Sequence, residues 1–346
     1  MTNLTHASRQ LFTRPPDERF DTLADLATHC REMKAQSRES VETLTAVRPT
    51  LTDGRLALRY NGFPLLRLND WAFTQLCGLA GAAKDTVNRL QPRTAGQVLI
   101  ELLETRERDG LKLQTLVEDK RVVRAITGEK YTRLWNADLV TMLQEFATDF
   151  TPPPKGFNGA TGLYAGEQDL LCFLIDPTGW AELEGEAFAP GFFVWNSEVG
   201  RRSVGVSTFW FQAVCANHIV WDATDIVEFT RRHIGNVAEA FREIRQRIEA
   251  LVAKRDERRD RFVDIVKKAM ATEYGTDAQS VVNRLTVNGF PKALAKRAIE
   301  IARERGRFTI WAVIDALTKL AREERHAGGR VAADVKAMQL LEPLAA

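Results

Sequence analysis

The stretch from Gly191 to Trp221, GFFVWNSEVGRRSVGVSTFWFQAVCANHIVW, limits the fold more than any other. Two runs of β-branched and aromatic residues flank a polar turn, Asn196-Ser-Glu-Val-Gly-Arg-Arg202. Strong strand formers on either side of a glycine-containing loop predict a β-hairpin. In the second run Val204, Val206, Trp210 and Val214 project to one side, and Phe209, Phe211, Ala213 and Cys215 to the other. Neither side is polar. A strand of that kind belongs in the middle of a sheet covered on both faces.

The 346 residues leave room for a main domain and a smaller one. The sequence divides into an N-terminal arm and helix (1–48), an α+β core (49–225) and a helical C-terminal region (226–346). Ordinary apolar content with about a quarter charged residues describes a soluble globular chain. A net charge of +2 hides an asymmetry: residues 226–330 carry about +8 and residues 1–225 about −5. That hints at a polyanion near the C-terminal third, although long exposed helices rich in Arg and Glu give the same count. Cys30, Cys77, Cys172 and Cys215 are scattered, with no metal or redox spacing, so free thiols and a reducing compartment are expected. No basic-then-apolar leader opens the sequence and no uncharged apolar run approaches about 18 residues. The expectation is a cytoplasmic protein with no membrane partner.

Along the chain, residues 1–16 read as a loose arm, and Asp17 to about Leu44 as a helix capped by Asp17 or Asp21. Arg55–Tyr60 alternates, Asn61-Gly62 is a hairpin turn, Phe63–Leu68 returns, and Asn69-Asp70 caps a helix. This is a β-β-α unit. A second is expected from Lys120–Ile126, a turn at Thr127–Lys130, a short strand Tyr131–Trp135, and a helix from Asn136 or Asp138. Ala95–Thr105 is helical in pattern, and Thr151–Gly156, with its three prolines, marks a linker or long loop. Gln168–Ile175 reads as a buried strand. The fold class is therefore α+β: a curved antiparallel sheet built from β-β-α units, then a long helix and a helical C-terminal region.

From Ile226 the pattern steps by three and four through Val237, Phe241, Ile244, Ile248 and Leu251, a heptad seam. Arg255 and Arg258 occupy seam positions before Phe262 and Ile265 resume it. One helix of about 40 residues is predicted, roughly 60 Å long, needing a partner helix from its own chain or a second copy. Three short helices follow, Ala278–Leu285, Lys292–Arg303 and Thr309–Arg325, the last ended by Gly328-Gly329. They fit a packing cap or a helix-turn-helix.

The chemistry is sparse. No nucleophile elbow, phosphate-binding glycine loop, HExxH or paired-cysteine site occurs, so no cofactor, metal or catalytic residue is assigned. His218 follows Cys215 and Asn217, but residues three apart on a strand face opposite ways. Glu182, Glu184 and Glu186 fit a solvated acidic loop better than a cation site. Nucleic-acid binding has the most support. Arg55, Arg59 and Arg67 share one face of the first hairpin. Arg121, Arg124, Lys130 and Arg133 surround the second with Tyr131, and Arg201 and Arg202 flank the third beside Trp195 and Asn196. Guanidinium groups that hold phosphates, interleaved with rings that stack on bases, make a single-strand groove. Arginine on an open sheet face also serves simply as a solubilising guard.

The run Trp195–Ser203, the aromatic strand and Cys215-Ala-Asn217 together resemble the phage- and plasmid-encoded domain-of-unknown-function family 932 (DUF932). Val123–Ala125 through Tyr131 and the Asn-Ala-Asp helix start are similar to its central segment, and Trp311–Thr318 to its C-terminal one. The resemblance spans roughly residues 50–325 and departs at His218, where the family usually has glycine. It implies a mobile-element protein acting in DNA metabolism. The leading expectation is an oligomeric, non-enzymatic single-stranded-DNA-binding protein serving recombination or annealing, joined through Val237, Phe241, Ile244, Ile248 and Leu251. The alternatives are an oligomeric scaffold without nucleic acid, and a hydrolase built around Asn196 and Asn217.

Overall fold

Alternating and helical patterns succeed each other in an order that sorts the strands into two sheets. The computed structural model describes residues 12–44, 47–52, 54–60, 63–105, 112–118, 121–155, 161–212, 217–221, 229–231, 233 and 237–345. Strand β1 (Glu18–Phe20) and helix α1 (Leu23–Ala35) come first. Then follow β2 (Ser37–Thr43), β3 (Val47–Thr52), β4 (Arg55–Tyr60) and β5 (Phe63–Leu68). Helices α2 (Asp70–Ala80), α3 (Lys84–Asn88) and α4 (Pro92–Glu104) lead to β6 (Lys112–Glu118) and β7 (Val122–Gly128). After α5 (Asn136–Phe146) come β8 (Leu163–Ala165), β9 (Leu170–Ile175), β10 (Ala181–Leu183) and β11 (Glu186–Asn196). Strands β12 (Val204–Gln212), β13 (Asn217–Trp221) and β14 (Phe229–Arg231) end the sheet region. Helices α6 (Val237–Ala253), α7 (Arg255–Ala271), α8 (Ala278–Val287) and α9 (Lys292–Ala302) follow. The last are α10 (Ile310–Ala321), α11 (Ala327–Met338) and α12 (Glu342–Ala345).

The fold is α+β, as expected, but the single curved sheet is two. Strands β2 to β7 form a six-stranded sheet in the order β2-β6-β7-β5-β4-β3. An eight-stranded sheet runs β1-β8-β9-β11-β12-β13, with β10 beside β11 and β14 beside β12. Pairing is antiparallel except between β5 and β7, which run parallel. The smaller sheet is nested in sequence inside the larger one, because β1 pairs with β8 and α1 packs on α5. The N-terminal segment is therefore an integral part of the larger unit rather than a separate arm and helix.

The opening hairpin is the centre of the larger sheet. Its register runs from Phe188↔Gln212 to Trp195↔Gly205, and every residue of β12 is buried. The face bearing Cys172, Phe192, Val194, Val204 and Val206 packs on α1, α5 and α6 through Leu26, Leu139 and Ile244. Its lower end, with Phe188 and Trp210, joins the core of the C-terminal helices, where Trp210 stacks on Phe262 at 4.3 Å. On the opposite face Phe173, Phe193, Trp195, Phe209 and Phe211 meet Ala327 and Val331 of α11. Each of these large side chains contributes roughly 1.5–3 kcal/mol on burial.

Several elements depart from expectation. The first helix starts at Leu23, behind the cap residue Thr22, whose side chain accepts from Asp25 N, and it ends at Ala35. Residues 37–43 turn instead into β2, an edge strand whose polar alternation disguised it. Tyr131–Trp135 is extended but is not a strand: Thr132 N bonds to His233 O, and the ladder partners of β7 are β6 and β5. The long helix breaks at Lys254, which leaves helical geometry (φ −106, ψ 13) between two helices of 17 residues. Each half follows its own core, α6 burying Ala240, Ile244 and Ile248, and α7 burying Phe262, Ile265 and Val266. Ile244 and Ile248 are spent inside the chain, with Phe241 packed beside them, so this seam is not a surface for a second copy. The side chains of Val237 and Leu251 lie outside the described residues. Helices α8 to α11 close over the core as a cap. Gly328 and Gly329 fall within α11 rather than ending α10; a Cβ on Gly328 would stand 2.6 Å from Arg202 Nη2. Among the described residues no helix is long and apolar enough to cross a membrane.

Candidate nucleic-acid interface

The six-stranded sheet has two unlike faces. One carries Leu56, Leu58, Leu66, Leu68, Val123 and Ile126 onto α2 and α4. The other carries arginine. Strict alternation puts Arg55, Ala57 and Arg59 on that second face of β4, and the register Ala57↔Arg67 puts Arg67 between them on β5. Residues two apart on a strand are separated by about 6.6 Å and strands by about 4.8 Å. Arg55 and Arg59 therefore stand about 13 Å apart with Arg67 midway, a spread that spans two to three phosphates of an extended strand. All three are exposed, while Ala57 beneath them is fully buried. Arg48, opposite Arg59 on the edge strand, reaches Glu104 at 3.8 Å. Exposed Arg121 stands beside Arg67, whose backbone N–H donates to its carbonyl, and holds a left-handed φ of 62°. No described residue pairs with the side chains of Arg55, Arg59, Arg67 or Arg121.

The other half of this face is covered, and the remaining predicted residues are sorted by that cover. Leu116 and Ala125 pack against Val199 from the β11–β12 turn, with Trp71 and Trp135 at the margin. A bulge in β7, where Leu116↔Ala125 is followed by Val117↔Val123, leaves Arg124 as the extra residue and aims it into the seam. There it donates to Glu198 Oε2 at 2.9 Å and to Ser37 Oγ at 2.8 Å. Glu198 Oε1 accepts Asn136 N at 2.7 Å, so one buried carboxylate balances an arginine and caps the N-terminus of α5. Asn196 is wholly buried and donates to Leu134 O and Asn136 Oδ1. Ser197 Oγ donates to Gln168 O, and Val199 O accepts from Trp71 Nε1 and Gln75 Nε2. The Asn-Ser-Glu-Val turn is thus the joint between the two sheets, a role that sequence reasoning missed.

Six of the proposed contact residues are corrected accordingly. Arg124 and Asn196 belong to this joint, and Arg133 is buried beside Glu39. Arg202 pairs with Asp169 at 2.7 Å. Tyr131 donates its hydroxyl to Ser197 O, and burial pushes its pKa up. Trp195 stacks on Phe193 in the core, because residues two apart share a face. Lys130 and Arg201 are exposed, Arg201 lying over the Trp71 ring at 5.6 Å.

The three described cysteines do not suit covalent catalysis. Burial pushes the thiols of Cys30 and Cys77 up to about 12 and that of Cys172 well above its usual value, so none of these is a thiolate at neutral pH. The side chains of Cys215, Asn217 and His218 lie outside the described residues. Glu182 and Glu184 are exposed at the β10–β11 turn, whereas Glu186 points inward and accepts Gln212 Nε2, Trp311 Nε1 and Arg305. Among the described residues no group of three His, Cys, Asp or Glu side chains could hold a metal ion. Glu167 accepts the N–H of Trp71 at the start of α2 at 2.5 Å, and burial lifts its pKa to about 7. The chain matches no known family model, no curated protein and no solved structure.

Proposed function

We propose that the open half of the six-stranded sheet is a polyanion-binding face whose ligand is single-stranded nucleic acid. The observation that carries this reading is the set Arg55, Arg59, Arg67 and Arg121, gathered on or beside one exposed face without a carboxylate partner among the described residues. A lone exposed arginine is ordinary, but four unneutralised neighbours repel one another and gain from a shared anion. Among the described residues no helix lies over the open face to read a groove, and of the two rings expected to stack Trp195 is interior and Tyr131 is half-buried with its hydroxyl bonded to Ser197 O. Binding therefore rests on phosphate contacts and carries little sequence preference. A part in handling single strands, annealing or recombination among them, would follow from such binding.

Each phosphate neutralised on a single strand contributes about −0.7 to the slope of log affinity against log salt. Three or four arginines therefore give a slope of roughly −2 to −3. Fluorescence anisotropy of a labelled oligonucleotide, titrated at several salt concentrations, measures it. The reading is overturned if micromolar protein fails to bind at low salt, or if the triple Arg55→Glu, Arg59→Glu, Arg67→Glu variant binds as the wild type does.

A further inference from the structure

The extended segment over the covered half of the same face holds a second cationic feature of a different kind. The Arg133 side chain is 1 % exposed. Among the described residues only its Nε has an acceptor, Glu39 Oε1 at 2.6 Å; both terminal nitrogens are buried and no acceptor of a described residue reaches them. His233 is 6 % exposed, and neither of its ring nitrogens has a partner among the described residues. Both groups lie against Tyr131, the guanidinium carbon 5.3 Å from the ring centroid and the imidazole stacked at 5.1 Å. Trp135 stands 5.7 Å from the guanidinium, and Thr132 N fixes the backbone of His233.

Buried donors are nearly always satisfied, and a buried guanidinium with unfilled terminal nitrogens is an exception that calls for a cause. Cation–π contact with Tyr131 and Trp135 offsets part of the charge but supplies no hydrogen-bond acceptor in the plane of the fork. With Nε held by Glu39, the edge left over is the one that grips two oxygens of an oxyanion end-on. Burial and the neighbouring Arg133 charge keep His233 neutral, with its pKa lowered to about 4, so the ring keeps one N–H to donate. A third donor against the same ring as a two-oxygen fork suits a tetrahedral oxyanion better than a planar carboxylate.

We propose that Arg133 and His233 form a buried oxyanion site that takes a phosphate group, walled by Tyr131 and Trp135. Two oxygens sit on the terminal nitrogens of Arg133, and a third accepts from His233. The group is either free inorganic phosphate or the terminal phosphate of a larger molecule. Glu39 lies on β2, three strands from Arg67 on the same face, so the site neighbours the open arginines but does not rest on their binding nucleic acid.

The test is a titration of the full chain with inorganic phosphate at constant ionic strength, followed by calorimetry and by the His233 ring signals in NMR. Saturable binding with a shifted His233 resonance is expected. Arg133→Gln should weaken it at least about tenfold, and His233→Phe, which keeps a ring on Tyr131, about three- to tenfold. A 5′-phosphorylated oligonucleotide that displaces phosphate where its hydroxyl-ended counterpart does not assigns the site to a strand end; otherwise it belongs to free phosphate. Absence of any saturable signal up to about 10 mM phosphate overturns the proposal. So does unchanged affinity in a folded Arg133→Gln protein; if that variant does not fold, unchanged affinity in His233→Phe decides. The triple first-hairpin variant should leave the phosphate titration unaltered, which separates failure here from failure of the sheet-face reading.

Discussion

Arg67 and Arg124 occupy paired strands of one sheet, β5 and β7, and their fates are opposite. Arg67 projects into solvent with no partner among the described residues, while Arg124 is buried against Glu198 and Ser37. Propensity does not separate them, since both alternate with apolar neighbours. What differs is cover: the β11–β12 turn presses Val199 onto the β6–β7 half of the face, while the arginines of the β4–β5 half are exposed. A bulge then turns Arg124 into the seam, where a carboxylate from the other sheet must meet it. Arginine on a sheet face is thus either a surface charge or a structural bolt, and a distant segment decides which.

This contrast breaks most readily at the bolt. Glu198→Gln keeps an acceptor for Asn136 N but leaves the buried Arg124 charge unmatched, with an expected loss of about 3–5 kcal/mol in urea unfolding. A loss within experimental error would make Arg124 no different from Arg67. Next in size is Ile244→Ala, fully buried in α6, which should lose about 2–4 kcal/mol while light scattering reports the same molecular mass as the wild type. A fall in mass would return the heptad seam to an interface between copies.

Glu167 sharpens the comparison through pH. Its folded pKa, about 7, lies above its ordinary 4.5, so the folded state holds the proton more tightly than the unfolded chain. Its contribution is complete below about pH 4.5 and is lost as pH rises towards 7. Wild type should therefore lose on the order of 1–3 kcal/mol relative to Glu167→Gln as pH rises across that window. His233, buried neutral, has the opposite slope between about pH 4 and 6.5, but it is common to both proteins and cancels. Smallest of all should be Arg55→Glu, Arg59→Glu and Arg67→Glu, each within about 0.5 kcal/mol by denaturation although oligonucleotide affinity is lost. A large destabilisation would mean that the open face is not open.

Elements with a strong local pattern were legible in the chain itself. The apolar run of β12, the Arg-Leu alternation of β4, the Asn69 cap of α2 and the spacing of α5 each follow from neighbours a few residues away. Strand β2, Ser-Arg-Glu-Ser-Val-Glu-Thr, was not, because an edge strand buries too little to show its period. The break at Lys254 lacks Gly or Pro and comes from two separate cores pulling on one helix; the arginines at seam positions 255 and 258 were its only trace. The first-hairpin arginines were readable as a face because alternation is local. The bolt was not, since Arg124 and Glu198 lie 74 residues apart. A lone glutamate following a buried strand and leading a Val-Gly turn was the available sign.

The nesting of one sheet within the other also sets a timetable for a growing polypeptide. All six strands of the smaller sheet have been synthesised by Gly128, whereas β1 and α1 must wait for α5 and β8. Ribosomes add roughly 5–20 residues per second, so Arg124 precedes its counter-charge, 74 residues further on, by about 4–15 s. Translation thus delivers the inserted half first, and the late arrival of a single acidic turn fastens it to the host that surrounds it.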